Sequence, residues 1–117
     1  MSLSFDDFVS ALLLQLTEDE HLGSVVYAAE RLLLSGAQIQ YTGRPFEVLA
    51  DSFIGFIDQD PSANWGHSAR YVLMKQQSGE VQSLPARLPP FGSGDDLHWR
   101  VVYQAPSVPD SAVEHLL

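Results

Sequence analysis

The sequence predicts an α+β fold in which an N-terminal helical pair packs on an antiparallel sheet of four to five strands. Two N-terminal segments carry apolar residues at helical spacing, and the remainder consists of short apolar segments separated by turn-forming residues. Helices that precede a run of strands favour a sheet covered on one face by those helices. The length of 117 residues, 45% of them hydrophobic, suits a single domain over 1–117 that buries its own core.

The first helix is predicted over about 5–16. Ser4 is a suitable N-cap, and Asp6 and Asp7 follow in the first turn, where the helix dipole favours negative charge. The residues at helical spacing are all apolar and form the expected buried face: Phe5, Phe8, Val9, Leu12, Leu13 and Leu16.

The second helix is predicted over about 18–35. Thr17 and Glu20 have the spacing of a capping box, in which each side chain bonds the backbone N–H of the other residue. Gly36 is the expected helix stop, because glycine takes the left-handed conformation at little cost. One continuous helix over 5–35 is the alternative, since almost no linker separates the two segments.

The middle of the chain predicts a short strand over 38–42, where polar and apolar residues alternate. The segment 45–58 is ambiguous between helix and strand. Its apolar residues fit a helical stripe that begins after a proline, but its second half is rich in Phe and Ile. We expect a helical turn at 45–50 and a strand at 52–58.

A β-hairpin is predicted next, with strands over 69–76 and 80–84. Ser78 and Gly79 have the composition of a two-residue turn, with glycine supplying the positive φ. This turn implies a register that pairs Leu73 with Leu84, and Lys75 with Gln82.

The end of the chain predicts a loop over 88–96, which contains two prolines and two glycines, and then a strand over 97–104. Alternation places the apolar residues of that strand on one side: Leu97, Trp99, Val101 and Tyr103. Asp110 is a suitable cap for a last short helix with an apolar face.

The charge balance argues against nucleic acids and anionic membranes as partners. Six basic residues face fifteen acidic ones, giving a formal net charge of −9. A nucleic-acid-binding surface needs clustered basic residues. Here they occur singly, at Arg31, Arg44, Arg70, Lys75, Arg87 and Arg100. A basic protein or a cation is the electrostatically favoured partner, although such a charge also simply keeps a small domain soluble.

The chain contains no cysteine, which excludes disulfides, a thiol nucleophile and thiolate metal sites. The N-terminus begins acidic and lacks the basic region of a signal peptide. The longest apolar run near it, 11–14, is far shorter than the roughly twenty residues of a membrane span. We therefore expect a soluble, cytoplasmic protein.

The loop between the strands at 52–58 and 69–76 is the first place to seek a site. Asp58, Asp60 and His67 have the chemistry to ligate a divalent cation or to form an acid–base pair. Their spacing matches no cation-binding loop, and turn capping by Asp and Asn explains the same residues. We favour the structural interpretation and expect no metal site.

Two further groups are candidates for binding. Asn64 and Trp65 lie in the same loop, where an exposed Trp is a favoured interface anchor but more often folds back onto the core. His98 and Arg100 share one face of the last strand, and they would bind an anion together with Arg70 if that face lined a concavity.

Catalytic motifs are missing from the sequence. There is no nucleophile elbow, and the run 92–94, Gly-Ser-Gly, lacks the lysine of a phosphate-binding loop. The sequence therefore predicts no catalytic residue and no cofactor.

Two functions stay open. The first is a small intracellular non-catalytic domain that acts through protein contacts, either docking to a larger partner or self-associating as a homodimer. The alternative is a small-molecule-binding domain or modest enzyme, with a pocket between sheet and helices lined by Asp58, His67, Arg70 and His98.

Overall fold

The computed structural model describes residues 2–40, 45–63, 68–87 and 97–113. Its elements, in chain order, are α1 (Phe5–Leu14), α2 (Glu18–Gly23), β1 (Val25–Ala29), β2 (Gln38–Gln40), β3 (Pro45–Glu47), β4 (Ser52–Asp58), β5 (Ala69–Lys75), β6 (Val81–Ala86), β7 (Trp99–Gln104) and a 3-10 helix (Asp110–Ala112). The predicted α+β fold class is confirmed. None of the helices in the described ranges is long and apolar enough to cross a bilayer.

The centre of the fold is a five-stranded antiparallel sheet in the order β6-β5-β4-β1-β7. Every residue of β1 and β4 is buried, because both faces of the sheet are covered there. The strands β2 and β3 form a separate two-stranded sheet.

The prediction of a second helix over 18–35 is wrong beyond Gly23, and so is the single helix over 5–35. The capping box forms, and α2 lasts six residues before β1 begins. Val25 and Tyr27 pack in one core cluster while Val26 packs in the other, so the side chains alternate across the sheet. The strand is buried on both faces, so its sequence does not show the alternation of polar and apolar residues that identifies a strand with one exposed face.

Helix α1 covers one face of the sheet. Ser4 caps it as predicted: its hydroxyl accepts the Asp7 N–H at 3.1 Å, and the Asp7 carboxylate accepts the Ser4 N–H at 2.9 Å. Phe8 and Leu12 are fully buried against β4 and its neighbours, and the Phe8 ring stacks on Phe53 with centroids 5.3 Å apart. Burial of this apolar stripe is what holds the helix on the sheet.

Gly55, in the middle of β4, allows α1 to lie this close. A Cβ at that position would lie 2.7 Å from Leu12 Cδ2 and 3.2 Å from Phe8 Cζ. Real side chains do not approach within 3 Å, so the helix–sheet distance depends on a residue without a Cβ.

The opposite face of the sheet carries a row of aromatic side chains on three adjacent strands. Tyr27, Phe56 and Tyr71 lie directly opposite one another in the register of β1, β4 and β5. Their ring centroids are 6.2 Å and 5.2 Å apart. Ile39 from the small sheet and Val108 from the C-terminal segment complete this cluster.

The helical turn predicted at 45–50 is wrong. Residues 45–47 form β3, in which Phe46 pairs with Ile39, and only the strand at 52–58 is confirmed in that ambiguous segment. The predicted strand at 38–42 is present over 38–40; the rest lies outside the described residues. Gly36 does not end a helix; it adopts a φ of 94° in a turn, where its N–H bonds Val48 O at 2.7 Å.

The hairpin of β5 and β6 is confirmed, but its predicted register is wrong by two residues. Leu73 pairs with Gln82 and not with Leu84. The Lys75 N–H bonds Glu80 O, and the Gly79 N–H bonds Lys75 O, so the loop contains four residues instead of two. Gly79 still supplies the positive φ, at 75°. A slip of two keeps every side chain on its predicted face.

The last strand begins at Trp99, two residues later than predicted, and its alternation is interrupted. Trp99 and Val102 pack on opposite faces, as the alternation predicts. A bulge opposite Val26 and Tyr27 then shifts the pairing, and Tyr103 packs against both core clusters. The predicted loop over 88–96 lies outside the described residues, and the predicted C-terminal helix is a 3-10 turn in the described part.

Candidate functional site

Asp58 ends β4 and is 2% exposed. Its carboxylate accepts the Asp60 N–H at 3.1 Å, which is the turn-capping contact expected of an Asp in this position. Asp60 is exposed. Asn64, Trp65 and His67 lie outside the described residues. In the ranges that are described, no three His, Asp or Glu side chains are placed to hold a metal ion.

Arg70 forms a buried ion pair with Glu20, a residue that sequence reasoning assigned only to a capping box. Arg70 Nε lies 2.8 Å from one Glu20 carboxylate oxygen, and Nη2 lies 2.7 Å from the other. Glu20 is 4% exposed, and the Arg70 side chain is 16% exposed. This bidentate geometry is the strongest arrangement available to an Arg–carboxylate pair.

Glu20 and Arg70 form further hydrogen bonds with other parts of the chain. Gln59 donates to Glu20 at 2.7 Å, and the Thr17 N–H donates to it at 2.9 Å. Arg70 also donates to the Ser83 hydroxyl at 2.9 Å and to Gln15 O at 2.8 Å. The ion pair therefore joins the corner between the helices to β5, to β6 and to the residue that follows β4.

The same contacts set the ionisation of Glu20. Burial raises the pKa of this carboxyl, and hydrogen bonds from Arg70, the Thr17 N–H and Gln59, together with the positive charge of Arg70, more than offset it. The net effect lowers the pKa of Glu20 from 4.5 to about 2. Glu20 is thus charged at neutral pH, with each oxygen accepting two hydrogen bonds from the protein.

Arg100 and His98 lie at the edge of the sheet formed by β7, three strands away from the strand of Arg70. Arg100 donates to Glu30 at 3.2 Å and lies over the Phe5 ring at 5.7 Å from its centroid. The strand of Arg70, β5, is separated from β7 by β4 and β1, a distance of about 14 Å at the usual strand spacing. The structure does not bring the three residues of the predicted anion site together.

His98 is not part of the strand in which it was predicted. It has a φ of 57°, in the left-handed region, and its carbonyl accepts the Glu30 N–H at 3.0 Å. Histidine tolerates this conformation better than most side chains. The conformation explains why β7 starts only at the next residue.

Substitutions at His98 should reveal that conformation. We expect His98→Gly to be more stable than His98→Val by about 1–2 kcal/mol, because a β-branched side chain is strained at positive φ whereas glycine is not. Both variants lose the imidazole, so the difference between their free energies of urea unfolding reports on the backbone conformation at position 98. Equal midpoints for the two variants would contradict the left-handed conformation.

An open groove of about 320 Å³ lies between the segment that follows β3 and the strands β5 and β6. Its lining is mainly apolar with polar groups at one side: Phe46, Val48, Leu49, Ala50, Ser52, Leu73, Lys75, Glu80 and Gln82. It contains none of the predicted site residues. Sequence reasoning missed it because residues 45–50 were assigned to a helical turn, which hides the alternation of Phe46 and Val48.

Two strongly exposed leucines belong to the same part of the surface. Leu49 is 78% exposed and Leu34 is 63% exposed. The backbones that carry them lie side by side, since the Ser35 hydroxyl bonds Leu49 O at 3.1 Å and Leu33 pairs with Ser52.

Comparisons with known proteins identify no relative from which a site could be transferred. No protein-family model, no curated protein and no solved structure matches the chain.

Proposed function

We propose that this chain is a non-catalytic domain that acts through protein contacts, by docking to a larger partner. The observation that carries the proposal is an apolar groove whose lining includes Leu49, which is 78% exposed, with the exposed Leu34 on the neighbouring backbone segment. Isolated exposed leucines are ordinary, but an exposed leucine that lines an apolar groove is typical of sites that bind other molecules.

The contacts of the polar candidate residues support the same proposal. Arg70 and Arg100 each form an ion pair within the chain, with Glu20 and Glu30 respectively. The helix–sheet interface, where the alternative function predicts a pocket, is filled by fully buried side chains such as Phe8 and Leu12. A pocket that unites Arg70 with His98 would have to extend across two intervening strands.

Selection from a library of displayed random peptides tests the proposal. The immobilised domain should enrich peptides of related sequence that untagged domain in solution competes away, because a docking surface selects particular side chains. An unrelated acidic protein of similar charge serves as the control for binding by charge alone. Native mass spectrometry that finds a retained small molecule, together with no enrichment over that control, would overturn the proposal in favour of a ligand-binding domain.

A further inference from the structure

We infer that the groove and the two leucines beside it receive a peptide segment of a partner protein in which apolar side chains alternate with Lys or Arg. The inference rests on the proposed function and names the surface and the chemistry of its occupant. We define the groove surface as the apolar lining residues Phe46, Val48, Leu49, Ala50 and Leu73, the polar lining residues Lys75, Glu80 and Gln82, and the exposed Leu34 on the backbone segment next to Leu49.

The apolar part of the groove surface is suited to side chains of an extended segment. Phe46 is half-buried and Val48 is buried, so they form a fixed floor, whereas Leu49 is exposed and stands beside it. A volume of about 320 Å³ is at the lower end of the range of roughly 300–1,000 Å³ for ligand pockets. A groove of that size that opens to solvent matches one or two apolar side chains of a bound segment.

The charges around these apolar residues define the rest of the occupant. Glu47 and Asp51 lie two residues to either side of Leu49, and both are exposed. Glu80 lines the groove, and Lys75, bound to it at 3.2 Å, is the basic residue of the lining. Of the described residues in this region, three are therefore acidic and one is basic, and a segment with cationic side chains is complementary to them.

The same charges argue against a second copy of this chain as the occupant. The chain carries a formal net charge of −9, so two copies repel each other at low ionic strength. A basic partner instead gains from long-range attraction, and its binding should weaken as salt is added.

Fluorescence anisotropy with labelled hexapeptides provides the test. The probe alternates Lys and Leu, and the two comparison peptides alternate Glu with Leu and Lys with Ser. We expect the Lys–Leu peptide to bind the protein about tenfold more tightly than either comparison peptide, since only it matches both the charge and the apolar lining.

Matched leucine variants then locate the binding. The double variant Leu34→Ser/Leu49→Ser should weaken binding of the Lys–Leu peptide about tenfold, the loss expected when one well-packed apolar contact is removed. Leu14→Ser/Leu22→Ser is the control, because those leucines are 84% and 64% exposed but belong to the helices. It should leave binding unchanged. Circular dichroism checks that both variants stay folded, as their exposure predicts.

Charge variants complete the design. Glu47→Gln should weaken binding, whereas Glu18→Gln, an exposed residue in the first turn of α2, should not. Equal effects of the two leucine pairs, or equal binding of the Lys–Ser peptide, would show that only general charge attraction is measured and would overturn the inference. Dimers in sedimentation velocity that Leu34→Ser/Leu49→Ser disperses would overturn it in favour of a second copy.

The outcome separates this inference from the proposed function. If library-selected peptides bind Leu34→Ser/Leu49→Ser as tightly as the wild-type protein, the docking function stands and the groove surface is the wrong place. If the library yields no specific peptides and the Lys–Leu probe does not distinguish the variants, both proposals fail.

Discussion

Replacing Arg70 by Met is expected to lower the free energy of unfolding by about 3 kcal/mol, because it leaves a buried carboxylate without its cationic partner. Glu20 is 4% exposed and accepts two hydrogen bonds from the guanidinium. Met keeps most of the length of the Arg side chain, so the loss reports on the charge and on the hydrogen bonds of the guanidinium to Glu20, Ser83 and Gln15. Urea unfolding at pH 7 measures it.

Arg100→Met is the matched control for this prediction. Arg100 and Glu30 also form an ion pair, but their side chains are 58% and 46% exposed. We expect a loss below about 1 kcal/mol, since water and salt screen exposed pairs. Similar losses for the two variants would contradict the view that burial makes the Arg70 pair important.

The pH dependence supplies a second control. The pKa of Glu20 is lowered to about 2 in the folded protein, against 4.5 in its ordinary state. Its contribution to stability is therefore fully present above pH 4.5 and is lost as the pH falls through 2. The gap between wild type and Arg70→Met should narrow over that range, because protonation removes the buried charge. A gap independent of pH would assign the loss to packing.

Gly55→Ala is expected to destabilise the protein by about 2 kcal/mol, although alanine is a better strand residue than glycine. The new methyl group would lie 2.7 Å from Leu12 Cδ2 on the facing helix. Leu12 and Phe8 are both fully buried, so neither side chain moves away without disturbing the α1 face of the core. Thermal and urea unfolding measure the effect.

A double-mutant cycle with Leu12→Ala tests the cause. Leu12→Ala alone should cost about 3 kcal/mol through the cavity it creates. That cavity is the space that the methyl group introduced by Gly55→Ala needs, so Gly55→Ala should cost much less in the Leu12→Ala background than in the wild type. Additive losses would show that the cost at Gly55 comes from β4 itself and not from the contact with α1.

Capping residues were reliable signals in this sequence, whereas hydrophobic spacing and turn composition were not. The capping box of Thr17 and Glu20 and the N-cap at Ser4 form as predicted, because each contact needs only residues three apart. The strand β1 was missed because its five residues are buried on both faces, and a continuous apolar run has no period that distinguishes strand from helix. Leu32 and Leu33, which follow β1, continue the helical spacing and so favour the incorrect prediction of a helix over 18–35.

The candidate site shows the same division. The predicted turn-capping role of Asp58 is confirmed, because its carboxylate accepts the N–H of a residue only two positions away. The pairing of Glu20 with Arg70 spans fifty positions, and no local pattern in one sequence indicates it. The groove depends on Phe46, Leu73 and Glu80, which come from three separate segments, so it becomes visible only once the sheet is assembled.

The position of β1 in the sheet has a consequence for how the chain folds. This strand is near the N-terminus, yet it pairs on one side with β4 and on the other with β7, close to the opposite end. While a ribosome makes the chain, β1 can pair with β4, but its second edge stays uncovered until β7 has also emerged. Strand pairings between such distant residues fold slowly, and an uncovered edge is prone to intermolecular pairing. Nascent chains that stop before β7 should therefore recruit chaperones more strongly than chains that include β7.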